Sequence, residues 1–141
     1  MSSNDLWGSL PDDEAIIVPV RLLADQADLL GQKTGNLLEA RVNPVSLSGT
    51  KNLAYELEII APVLDNYSIT VMRIRHPIES YPVVVESVVG GNPMREATNE
   101  AEFSATLREI LGSSEVQRII GSLLSQSKAT MRRGQDESFP R

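Results

Sequence analysis

The stretch Leu53-Ala54-Tyr55-Glu56-Leu57-Glu58-Ile59-Ile60-Ala61 decides how this chain is read. Leu53, Tyr55, Leu57, Ile59 and Ala61 fall on one side of an extended backbone, and Ala54, Glu56, Glu58 and Ile60 fall on the other. That period of two marks a strand that buries one face. Upstream, Leu38, Ala40 and Val42 alternate with Glu39, Arg41 and Asn43 in the same way, and Pro44 is expected to end that strand or mark a bulge. The polar segment Ser46 to Asn52, with Gly49 inside it, reads as the loop between the two.

Downstream, Asp65-Asn66 is the strongest turn signal in the chain, because both residue types tolerate the left-handed backbone that tight hairpins need. A third strand is predicted from Tyr67 to about Arg75. After a loop carrying Pro77 and Pro82, a fourth runs from Val83 to Val89, broken by Gly90-Gly91-Asn92-Pro93. Residues 38 to 89 therefore read as four amphipathic strands.

Helical periods flank this block. Val20, Leu23, Ala27 and Leu30 recur at steps of three and four behind Pro19, a residue suited to the first helical position. Gly31 and Gly35 supply the stop. Near the other end, Asn99 with Glu102 resembles a capping pair ahead of Phe103, Leu107, Ile110 and Leu111. Ser114 with Gln117 repeats the arrangement ahead of Val116, Ile119, Ile120, Leu123 and Leu124. Gly112 and Ser113 separate these two helices, and beyond Gln126 the apolar period fades.

The expected fold is α+β: helix, four strands in a mostly antiparallel sheet, then two helices packed on it. Residues 1–16 read as a flexible arm, 17–127 as one domain, and 128–141 as a disordered tail. With 141 residues the chain fits a single core without disulfides or a structural metal. Its aromatic content of 4% against 41% hydrophobic residues makes that core aliphatic.

The fourth strand places Val83, Val85 and Val89 on one side and Val84 and Val88 on the other, so both faces of the sheet carry apolar residues. Ile60, Met72 and Ile74 are read as adding to the second face. Either the helices divide between the faces, or they share one and the other meets a second molecule. An apolar patch of several hundred Å² left open is an association site, so a protein partner or self-association, possibly as a dimer, is expected.

The chemistry available is sparse. The absence of cysteine removes disulfides, thiolate ligands and cysteine nucleophiles. His76 is the one histidine, which removes paired-His metal motifs. Arg73 and Arg75 share a strand face and, with His76, form the densest basic group, which could hold a carboxylate or phosphate. The competing reading pairs them with Glu56 and Glu58 across strands on a solvated face. Carboxylates such as Asp12-Asp13 or Asp25 with Asp28 have no accompanying histidine or metal-ligand spacing, and read as solvated charge. The Gly90–Pro93 turn lacks the Lys-Ser/Thr ending of a phosphate loop, and no Gly-x-Ser-x-Gly elbow is present. No cofactor or metal is expected.

Trp7, the only tryptophan, lies in the arm with Leu6 and Leu10. It either tucks against the domain edge or anchors a partner, since tryptophan is enriched in interface hot spots. The net charge of −6 disfavours a nucleic-acid partner. The serial order of helix, strands and helix is similar to double-stranded RNA-binding domains, but the penultimate helix opens on Asn99-Glu100-Ala101-Glu102, the wrong sign for phosphate. No secretory leader pattern or apolar run near eighteen residues is visible, so a cytoplasmic protein without a membrane partner is expected.

Three functional classes follow. The first is a non-catalytic protein-interaction module, such as an adaptor, an immunity-type protein or an accessory protein similar to secretion chaperones in size, acidity and mixed α/β pattern. The second is a small enzyme or anion-binding protein using Arg73, Arg75 and His76. The third is double-stranded RNA binding. The residues singled out for binding are Trp7, Met72, Arg73, Ile74, Arg75, His76, Val84 and Val88.

Overall fold

The computed structural model of the protein describes residues 4–12, 17–90 and 94–135. Asp13, positions 91–93 of the expected connector and residues 136–141 lie outside the described residues. In chain order the elements are α1 (Pro19–Lys33), β1 (Glu39–Val45), β2 (Leu53–Ala61), a 3-10 turn (Pro62–Leu64), β3 (Tyr67–His76), β4 (Val83–Ser87), β5 (Arg95–Ala97), α2 (Glu100–Leu111) and α3 (Ser114–Gln135). Among the described residues no helix is long and apolar enough to cross a membrane.

The fold is α+β, and the strands form one antiparallel meander in the order β1-β2-β3-β4-β5. The expected four-stranded sheet has a fifth strand. β5 pairs Ala97 with Val83 and Arg95 with Val85, and at three residues it is too short to show a period in the sequence. Pro44 does not end β1, which continues to Val45. β1 is an edge strand, where a missing N–H can face away from the ladder.

Local signals account for the boundaries. Pro19 occupies the first turn of α1, behind an extended Val18. At its other end Gly35 and Asn36 take left-handed backbone, and the Thr34 hydroxyl donates to the Leu30 carbonyl while accepting from the Leu38 N–H. Asp65 and Asn66 are both left-handed (φ 58° each), as the turn signal predicts, although the 3-10 turn lengthens the connection. Asn99 Oδ1 accepts from the Glu102 N–H at 2.9 Å. Glu102 reaches back to Thr98, accepting from its N–H and its hydroxyl at 2.8 Å each. The second cap is shifted by one residue: Ser113, not Ser114, receives the Val116 N–H, and the Gln117 amide donates to the Leu111 carbonyl.

A β-bulge in β3 sets the two faces of the sheet. Leu57 pairs with Met72 and Glu58 with Thr70, leaving Val71 unmatched. The phase shift puts Ile69 and Val71 before it, and Met72 and Ile74 after it, on the same side as Leu57 and Ile59. Val71 and Met72 are both fully buried, and the Val71 carbonyl accepts from the Val88 N–H at 3.0 Å. Met72 and Ile74 therefore belong to the internal core and not to a second apolar face.

All three helices cover that one side. Leu23 and Ala27 of α1, Phe103 and Ile110 of α2, and Val116 and Leu123 of α3 join the cluster built on Leu57, Ile59, Val83 and Val85. α3 continues past the expected end near Gln126. Ser127 is completely buried, whereas positions 128–133 form solvated helix, with Arg132 and Arg133 in the last turn, where cations offset the helix dipole.

Candidate functional site

The outer side of the sheet carries a charge ladder. Register places Asn43, Glu56, Arg73 and Glu86 in one row across β1 to β4, and Arg41 opposite Glu58 in the next. Arg73 pairs with Glu56 at 3.4 Å, and Asn43 donates to Glu58 at 3.0 Å. Ile60 and Ala54 do lie on this side and are buried. Val84 stands between Arg75 on β3 and Glu96 on β5, and Val88 falls just past the end of β4. The second face is thus a mosaic of alternating charge with small apolar gaps, not the open valine patch that strand four suggests.

The expected basic group is divided by the sheet. Arg73 and Arg75 point outward and are exposed, while His76 is buried on the helix side of β3. Its ring stacks on Tyr55 with centroids 6.1 Å apart, and Nδ1 lies 2.7 Å from the Pro77 carbonyl. Nε2 is buried without a protein partner. Tyr81, in the loop after it, also buries its hydroxyl unpartnered, and burial together with the nearby Glu100 pushes its pKa up.

Trp7 is not tucked against the domain edge, the first of its two readings. Trp7 is 79% exposed, between Leu6 at 93% and Leu10 at 70%. Its backbone N–H donates to the Asp5 carboxylate at 3.0 Å.

A concavity lies on the helix side. α1 rests on β1, and α2 follows β5 toward the opposite edge, so a half-open groove of about 510 Å³ is left over Ala40, Leu57 and Ile59. Leu22, Leu29 and Leu30 of α1 form one wall, and Leu107 and Leu111 of α2 with Ile120 of α3 form the other. Among the described residues Lys33 and Arg108 are the only charged ones lining it, and both are positive.

Gly112 holds the groove's corner. A Cβ there would stand 2.9 Å from the Arg108 carbonyl oxygen, inside van der Waals contact, so the α2–α3 junction requires glycine. The Asn99–Glu102–Thr98 cap orients the α2 wall. Hydrogen bonds from the Thr98 backbone and hydroxyl hold the Glu102 carboxyl below its usual range.

None of the groove residues is among the candidate binding residues that the sequence offers. A signal was present in the doubled pairs Leu22-Leu23 with Leu29-Leu30, and Ile119-Ile120 with Leu123-Leu124. Such pairs widen the apolar arc of a helix beyond what a single contact with the sheet consumes.

Comparison with protein-family models, with curated proteins and with solved structures finds no match to this chain.

Proposed function

We propose that this protein is a non-catalytic protein-interaction module, an adaptor or accessory protein that holds a short apolar, acidic segment of a protein partner in the groove between α1 and the α2–α3 pair. The observation that carries this reading is the lining itself: mostly aliphatic walls and an aliphatic floor, with Gln26, Ser104 and Gln117 among them, half-open to solvent, and Lys33 and Arg108 as the only charges among the described residues. Apolar contacts supply affinity in such a groove, and two cations favour carboxylates flanking the bound segment. A half-open groove also lets a polypeptide backbone remain solvated, which an enclosed cavity does not. The anion-site alternative is weakened because His76 lies across the sheet from Arg73 and Arg75, and Arg73 is paired with Glu56.

Selection of phage-displayed random peptides against the full chain tests the reading. Enriched sequences are expected to combine Leu, Ile, Phe or Trp with Asp or Glu, and their affinity is expected to fall about tenfold on joint Lys33→Glu and Arg108→Glu substitution. No enrichment, or binding indifferent to those substitutions, overturns it.

A further inference from the structure

We propose that the groove is occupied by the Leu6-Trp7-Gly8-Ser9-Leu10 segment of a second copy of this chain, an exchange of arms that makes the protein a dimer. The inference rests on the groove being the binding site and names its occupant. Three large apolar side chains stand in solvent within five residues, which is costly for a segment with nothing to cover it. The chemistry of the arm matches the groove: residues 1–16 carry Asp5, Asp12, Asp13 and Glu14 and no Lys or Arg, and the groove presents two cations and no carboxylate.

Trp7 supplies the kind of anchor that dominates small interfaces, burying ~200 Å² in one rigid ring. In the single chain Leu6, Trp7 and Leu10 are all exposed, clear of the chain's own groove, which points to another copy as the acceptor. Reciprocal exchange about a two-fold axis fills both grooves with one contact used twice and closes at the dimer.

The same residue makes the test direct, because Trp7 is the only tryptophan and its emission reports arm burial alone. The full chain is followed by light scattering and tryptophan emission up to roughly 1 mM, a range that captures even weak association. The expected result is a doubling of mass and a blue shift of emission with a common midpoint. Leu29→Glu on the groove wall moves that midpoint at least about tenfold, and Trp7→Ala does the same to the mass, with circular dichroism unchanged in both. A dimer with emission unchanged, broken instead by Val84→Asp, assigns self-association to the outer sheet face and overturns the proposal. Blue-shifted emission at every concentration with monomeric mass means the arm docks in its own groove, and also overturns it. A monomer with exposed Trp7 throughout overturns it while leaving the groove reading intact if selected peptides still bind there. If they do not, both fail.

Discussion

The two faces of this sheet are made by the same five strands and differ in almost every physical respect. On the helix side, Leu57, Met72, Ile74, Val83 and Val85 are packed to near-zero exposure beneath three helices. On the outer side, the row Asn43–Glu56–Arg73–Glu86 alternates in sign or polarity at every strand. The comparison shows that the tightly packed core lies on one face alone. The outer ladder carries the cross-strand pairs Arg73–Glu56 and Asn43–Glu58, whereas the inner face leaves an apolar groove between its helices.

The largest effect expected from breaking this asymmetry is in the core. Phe103 is fully buried among both terminal helices and the sheet, and Phe103→Ala should cost ~3–5 kcal/mol in urea unfolding. A sharper comparison comes from neighbours on one strand. Val85 is fully buried and Val84 faces outward between Arg75 and Glu96. Val85→Ala should lose about 2 kcal/mol and Val84→Ala less than ~0.5 kcal/mol. Equal losses would mean that something covers the outer face.

The cap that orients the groove wall comes next. Asn99→Ala removes the bond to the Glu102 N–H and should cost ~1 kcal/mol. Glu102 adds a pH signature. Its folded pKa is depressed, so its contribution is fully present above the ordinary glutamate value near 4.5 and is lost as pH falls through the lowered folded value. Stability profiles of wild type and Glu102→Gln should therefore converge in acid and separate above pH 4.5, and parallel profiles would contradict the assignment. The smallest effect belongs to the ladder. Arg73→Ala removes a half-exposed pair with Glu56 and should change stability by no more than ~0.5 kcal/mol, shrinking further in high salt.

How legible these features were depended on how local they are. The strands centred on Leu57 and Val85, the Asp65-Asn66 turn and the Asn99 cap rest on neighbours within a few residues, and the sequence displays them openly. Period two alone puts Met72 and Ile74 on the wrong face, because an unbroken alternation carries no mark of the extra residue at Val71. β5 escaped notice because three residues cannot display a period. α3 outran its apolar stripe because solvated helix continues on propensity and charge, which hydrophobic period does not measure.

The candidate site was less legible than the fold. Arg73, Arg75 and His76 are adjacent in sequence, yet alternation and burial send His76 to the opposite side of the sheet. Leu29, Lys33, Arg108 and Leu111 share a groove although two turns of helix and the whole sheet separate the first pair from the second along the chain.

By itself, the sequence determined the α+β class, the start of α1, the Asn99 cap of α2, the Asp65-Asn66 turn, the aliphatic core and the acidic, tryptophan-bearing arm, because each is written in patterns a few residues long. Only the tertiary structure decided that all three helices cover one face, that the other is a charge ladder and that a cationic apolar groove opens over β2. Those outcomes depend on one bulge that rephases β3 and on where α1 and the α2–α3 pair come to rest on the sheet. Neither is a property of any local segment.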